Sequence, residues 1–222
     1  MKQTHLTIRT ALIGLAALTF AIPASAQTWV RYQARPIGSK VKIEGTSTLH
    51  DWTVDGKLIG GFMELDSNFP LDPAAKPAGN AKLNAKVEVN IPLTSLLSGK
   101  KLMDEVMWDA MKQRQYPQIQ YKLKEISLKP NAGSGPLQFD SVGELAVSGL
   151  AKTINMAVTI ERLDQNRLKV TGSLPMKMTT FGIKPPSPNI GLGLIKTGDD
   201  VKVSIEWLVA KATDASKPAE KN

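Results

Sequence analysis

The sequence contains no cysteine, only two histidines, and few aromatic residues, 5% of 222 positions. Without cysteine there is no disulfide, no thiolate metal ligand and no cysteine nucleophile, so stability must come from an ordinary hydrophobic core. The histidines are His5 and His50. A zinc or copper site needs several nitrogen or sulfur ligands, so neither metal is expected, and no other cofactor is implied. The apolar stretch over residues 11–22 is too short to span a bilayer comfortably. It follows the basic residues 1–9 and precedes Ala24-Ser25-Ala26, small residues of the kind a signal peptidase accepts. Residues 1–26 therefore read as a signal peptide, and the mature chain as periplasmic or secreted.

The formal net charge is +8; the leader holds Lys2 and Arg9 and no acid, so the mature chain carries +6. Its lysines and arginines alternate with apolar residues instead of clustering. That is the pattern of a solvated β-exterior, not of a phosphate-binding stripe, and nucleic-acid binding is not expected. Transient contact with an anionic membrane surface, weakening with salt, is compatible with it.

Two-residue alternation dominates the remainder. In residues 143–178 three apolar runs follow one another: Leu145 and Val147; Ile154, Met156, Val158 and Ile160; Leu168, Val170, Leu174 and Met176. Alternate positions project from opposite faces of a strand, so each run supplies one greasy face, and turn-like breaks at 149–151 and 164–166 make the segment a β-meander. Further strands are expected over residues 40–47, 51–66, 84–92, 118–129 and 201–209, with Leu137 and Phe139 leading the first strand of the meander. In 51–66 and 118–129 the apolar parity changes, at Gly60-Gly61 and beyond Leu123, which predicts bulges or bends. Residues 28–38 read as a lead-in segment lying across one end of the sheet, and 212–222 as a disordered polar tail. Residues 102–112 carry Met103, Val106, Met107, Ala110 and Met111 at helical spacing, preceded by a short turn that Thr94 can cap. This helix either lids an apolar interior or plugs a core. The fold class is all-β: eight antiparallel strands that can close into a barrel over residues 27–211, with a short helical segment near 94–112.

The run Gly45-Thr46-Ser47-Thr48-Leu49-His50-Asp51-Trp52, then Met103-Asp104, Met107-Trp108-Asp109-Ala110-Met111-Lys112 and Tyr116-Pro117-Gln118-Ile119-Gln120-Tyr121, resembles the YceI-like family. Gly143-Glu144-Leu145-Ala146-Val147-Ser148-Gly149, Phe181-Gly182-Ile183-Lys184-Pro185-Pro186 and Asp200-Val201-Lys202-Val203 continue the likeness in the right order over roughly residues 38–211. The resemblance implies an exported lipocalin-like barrel that holds polyisoprenoids or other long-chain lipids. The chain departs from the better-known branch at two places: Val106 stands where a histidine is expected and Met178 where an arginine is. The polar head-group contacts of that branch are therefore not carried over.

On this reading the protein is a non-enzymatic carrier or sequestering protein. Its partner is a long-chain lipid or isoprenoid quinone, and a homodimer is compatible with the sequence. The expected lining is Trp52, Val54, Leu58, Val89, Ile91, Met107, Met111, Leu145, Val147, Met156, Val158, Val170, Leu174, Phe181, Ile205 and Trp207. The helix and the Phe181-Gly182 loop form the expected entrance. Two alternatives stand beside it. A filled barrel would act through its surface as an envelope stress or interaction protein. A hydrolase would need Ser47, His50 and Asp51 in a triad, yet adjacent strand residues point to opposite faces, and a hydrogen-bonded turn explains the same residues.

Overall fold

The computed structural model describes residues 28–35, 37–72, 83–129, 135–187 and 195–212. The expected leader and the tail beyond Ala212 lie outside them. Ala212 is itself tied to the sheet, its N–H donating to the Arg31 carbonyl at 2.8 Å.

In chain order the elements are β1 (Trp29–Ala34), β2 (Lys40–Ser47), β3 (Trp52–Gly56), β4 (Gly60–Asp66), β5 (Ala85–Pro92), β6 (Leu96–Leu97), α1 (Lys101–Ala110), β7 (Gln118–Leu128), β8 (Leu137–Val147), β9 (Leu150–Arg162), β10 (Arg167–Lys177) and β11 (Thr197–Lys211). Eight of the strands close into an antiparallel ring, β1-β4-β5-β7-β8-β9-β10-β11, with β11 bonding back to β1. The other three extend its wall. β11 spans 15 residues, so that Val201 to Glu206 pair with β2 while Val209 to Lys211 pair with β1. β2 carries β3, and β3 carries the two-residue β6. The architecture is the expected eight-stranded barrel with one short helix.

Hydrogen bonding is continuous around only one end. There β1 bonds both neighbours, and Leu65, Phe69, Leu137, Phe139, Leu168 and Val209 pack into a solid plug, with the Phe69 and Phe139 rings stacked at 5.4 Å. At the other end the ring splits twice. Pairing between β9 and β10 stops at Val158 and Gly172, and the wall between them is completed by a 3-10 turn, Met178–Phe181, whose Phe181 is buried. On the opposite side α1 bridges from β6 to the β8–β9 turn. Its Trp108 Nε1 donates to the Leu96 carbonyl at 3.3 Å, and the Ser148 hydroxyl donates to the Met111 carbonyl at 3.1 Å. Buried Asp104 anchors the start of the helix by accepting from both the N–H and the hydroxyl of Ser98.

Five expectations need correction. Residues 29–34 are not a lead-in laid across the sheet but the strand that closes it, with buried Tyr32 facing inward. The single strand expected over 51–66 is two, β3 and β4, which pair with different neighbours, and the parity change expected at Gly60-Gly61 occurs earlier: the chain leaves the ladder at 57–59, where Ile59 turns in and Leu58 turns out, half exposed. Pro92, not Thr94, precedes the short turn Leu93–Ser95, and no side chain caps it. The last strand starts at Thr197, four residues before the expected Val201. The bulge expected in β7 is present, with Lys124 as the extra residue between the Leu123–Gly143 and Glu125–Val142 pairs.

On the outer face many lysines pair across strands, among them Lys124 with Glu144 at 3.0 Å, Lys129 with Asp140 at 2.9 Å and Lys169 with Glu161 at 2.7 Å. Such exposed pairs contribute little stability, so the plug must supply most of it. Phe139, with no exposed surface, is its centre. Phe139→Ala should lower unfolding free energy by about 3–5 kcal/mol in urea titrations.

Candidate functional site

Above the plug the barrel is hollow. A cavity of about 600 Å³ runs from the split end down to Met63, Val87, Ile126, Ile160, Val170 and Trp207. That volume falls within the range of small-molecule sites. Its wall is aliphatic: Val41, Ile43, Val54, Val89, Ile91, Ile119, Leu123, Leu145, Val147, Ile154, Met156, Val158, Leu174, Met176, Val201, Val203 and Ile205 all contribute. These are the inward halves of alternating strands, so the periodicity that builds the sheet also makes the hollow greasy. From α1 come Leu102, Met103, Val106, Met107 and Ala110, with Met111 just beyond it. The helix therefore lies over the hollow and gives it a flexible, polarisable surface.

What keeps this half from filling is visible at three inward glycines. At Gly45 an added Cβ would lie 2.2 Å from the Trp52 indole, at Gly143 it would lie 2.3 Å from the Tyr121 ring, and at Gly172 it would press on Met156 at 3.2 Å. Both aromatic rings lie flat on the wall where a side chain is missing, instead of projecting into the lumen. Trp52 is fixed there by its Nε1, which donates to the Thr46 carbonyl at 3.0 Å.

Every residue selected from the sequence lies on this wall except Leu58, which the break at 57–59 turns to solvent. Phe181 lines the cavity but is buried, so it closes the β9–β10 split and is not an opening. The exposed lip lies at the helix half of the expected entrance, around the start of α1, where Leu49, His50, Lys100, Leu102 and Pro186 line the hollow; Leu49 is 69% and Leu102 55% exposed. Sequence reasoning placed the helix from Leu102 at the entrance but missed Leu49, His50, Lys100 and Pro186, as well as Val41, Ile43 and Ile119, whose alternation carried the signal. Val106 and Met178, the two departures from the better-known branch, both line the hollow.

Polar groups on the wall are few. The Tyr121 hydroxyl and the Trp207 Nε1 are the buried side-chain polar atoms without a hydrogen-bond partner among the described residues. Burial raises the Tyr121 phenol above the ordinary tyrosine value, and the Ser141 hydroxyl acts in the opposite direction. Ser141 donates its own proton to the Met156 carbonyl at 2.8 Å and makes no well-formed hydrogen bond to the phenol.

No catalytic grouping forms around His50. The Ser47 hydroxyl donates to the His50 carbonyl at 2.7 Å and accepts from the His50 N–H at 3.2 Å, while His50 Nδ1 sits 2.6 Å from the Asp51 carbonyl. The residues hold a turn, and the hydroxyl does not reach the imidazole. Nor do three or more metal-ligating side chains converge among the described residues.

A plugged, split-ended barrel of eight strands with a helix over an aliphatic hollow can be compared with known proteins. The sequence matches the model of the YceI-like domain over residues 32–208. The chain belongs to the YceI-like family. Of solved structures, BcnA of Burkholderia cenocepacia is 18% identical, with 79% of this chain and 96% of that one covered and a TM-score of 0.58. A polyisoprenoid binding domain from Saccharophagus degradans, implicated in plant cell wall breakdown, is 14% identical over 82% of this chain and 98% of that one, at TM-score 0.57. A YCEI protein of Campylobacter jejuni is 18% identical over 72% and 85%, at 0.50. At these identities the likeness is one of fold. No curated protein matches the sequence. The filled-barrel alternative thus describes only the plugged end of this YceI-like domain.

Two predictions follow from the glycines and the phenols. Gly143→Ala should drive the Tyr121 ring off the wall, costing about 1–3 kcal/mol of stability and shrinking the hollow, as read by urea titration and a crystal structure. Burial also raises the Tyr32 phenol, the Arg162 charge opposing it. Both phenols therefore keep their protons longer folded than unfolded. Their stabilising contribution is complete below about pH 10 and is lost as pH rises through the raised values. Tyr121→Phe should flatten the alkaline fall in melting temperature without lowering stability at neutral pH, because it removes a hydroxyl that has no partner.

Proposed function

We propose that this chain is an exported, non-enzymatic protein that sequesters or carries a long-chain amphiphilic lipid, a polyisoprenoid or isoprenoid quinone, inside its barrel. The observation that carries this reading is the aliphatic hollow of about 600 Å³, covered by a methionine-rich helix and kept open by aromatic rings folded onto glycines. Each methylene withdrawn from water contributes up to about 0.8 kcal/mol, so a long chain needs few polar contacts to be retained. Ordering the chain takes back part of that gain. The structural likeness to a polyisoprenoid binding domain supports the choice of ligand class, and the leader at residues 1–26 supports export to the periplasm or beyond. No helix among the described residues is long and apolar enough to cross a membrane, and the reading needs none.

Native mass spectrometry of protein purified from its own envelope should show a co-purifying lipid. A chain that emerges empty and also fails to take up an isoprenoid quinone would overturn the proposal. Leu145→Trp and Met156→Trp place bulk in the lumen at positions that do not belong to the plug. Each should weaken quinone uptake at least tenfold, about 1.4 kcal/mol, while circular dichroism shows an intact barrel.

A further inference from the structure

The lip has a chemistry the interior lacks. Below it the wall is apolar apart from the Tyr121 and Ser141 hydroxyls and the Trp207 Nε1, but at the lip His50, Lys100 and Lys177 join the lining, and no carboxylate lines the hollow. Lys177 is already held, its Nζ 2.7 Å from Asp200. Lys100 has no ion-pair partner among the described residues, and the nearby buried carboxylate, Asp104, is committed to Ser98. The imidazole of His50 meets the Asp51 carbonyl through Nδ1, which leaves Nε2 available.

Topology brings the two available groups together. β3 leads down from the lip, and β6 returns antiparallel to it, Leu96 opposite Gly56 and Leu97 opposite Asp55. The chain beyond β6 thus climbs back towards the turn that holds His50, and Lys100 arrives at the same rim. Leu49 and Leu102 flank them with exposed apolar surface, which lowers the local polarity and strengthens a charge-assisted hydrogen bond made there. A hydrocarbon or neutral chain would gain nothing from an unpaired ammonium at the opening of an aliphatic hollow. A chain ending in an anion would.

We propose that the lip is a head-group subsite for an anionic amphiphile: a carboxylate or phosphate rests on Lys100 beside His50, and its chain lies down the barrel. This rests on the ligand-holding reading above and narrows it from long-chain lipids in general to those bearing a negative charge at one end. The charge could belong to a fatty acid or to a prenyl phosphate. The chemistry at the lip is the same, and the two are separated by experiment.

The test compares matched pairs by isothermal titration with the full mature chain: palmitate against hexadecanol, and farnesyl phosphate against farnesol. The charged member of at least one pair should bind about tenfold tighter than its alcohol, the gain expected of one charge-assisted hydrogen bond. In Lys100→Gln that ratio should collapse towards one, and in Lys100→Arg it should return. The pair with the larger ratio identifies the head group. Equal binding of acid and alcohol by the unaltered chain, or a ratio unmoved in Lys100→Gln, would overturn the head-group proposal while leaving a lipid-holding barrel intact. Failure of every member of both pairs to bind would overturn both readings.

Discussion

The closure of the sheet by β1 is the constraint on which the rest depends. Six residues, Trp29–Ala34, bond β4 on one side and β11 on the other, and so turn an open sheet into a ring. They do so only at one end, because β1 stops at Ala34 and the chain resumes as β2 on a different stretch of β11. A closed ring of eight strands has an interior just wide enough for side chains, so this end fills with Phe139, Leu137, Leu65 and Leu168. At the other end the ring is allowed to part, and the space widens. Plug and hollow are therefore two consequences of one hydrogen-bonding pattern.

Widening alone would not preserve a hollow, since apolar side chains collapse on available space. Here the covering elements are held off by polar latches: Asp104 to Ser98 and Trp108 to Leu96 at one side of α1, and Ser148 to Met111 at the other. The helix spans the gap as a beam with both ends fixed. The turn at Met178–Phe181 is fastened similarly, Asp199 accepting from the Thr179 N–H and hydroxyl. Those hydrogen bonds hold the Asp199 carboxyl below its ordinary value, the hydroxyl of Thr179 contributing most. Gly182, at φ +66°, lets the chain turn back beneath Leu150, where a Cβ would meet the leucine at 3.0 Å.

Much of this was legible in the sequence, and the failures share a cause. Alternation exposed β2, β5 and β7 to β11 because each has one face against the interior, and period two survives wherever a strand is half buried. β1 was missed because Trp29 and Val30 sit on opposite parities beside Tyr32, and because Trp29 spends its ring outside, under the Lys86 ammonium. Leu58 was placed inward by carrying the parity of Trp52 and Val54 forward, and three residues off the ladder cancel that inference. The polar part of the lip escaped because Lys100 and His50 lie fifty residues apart, and the β3–β6 pairing is what returns the chain to the rim that both line. The size of the hollow was beyond reach for the same reason: it depends on which ring faces which glycine, and that is settled by register across strands.

The chemistry of the wall also follows from those pairings. Tyr121 sits opposite Leu145, two pairs along from the Leu123–Gly143 pair and next to it on the same face, so its ring can lean diagonally over the glycine instead of pointing at the barrel axis. Trp52 sits directly opposite Gly45 and does the same on the far side. Each aromatic thereby covers a place where backbone would otherwise line the lumen, and each removes its own bulk from the volume. A leucine at either glycine would have forced the rings inward and joined hollow to plug. The two positions where polar side chains are expected in the better-known branch are here Val106 and Met178, which extend the same aliphatic surface up the helix and the closing turn. With no carboxylate, lysine, arginine or histidine below the lip, and only the Tyr121 hydroxyl and the Trp207 Nε1 as unpartnered polar atoms on the wall, the depth of the lumen distinguishes one chain from another mainly by shape. The wall is thus apolar in depth, and the cationic side chains Lys100 and Lys177 lie at its lip.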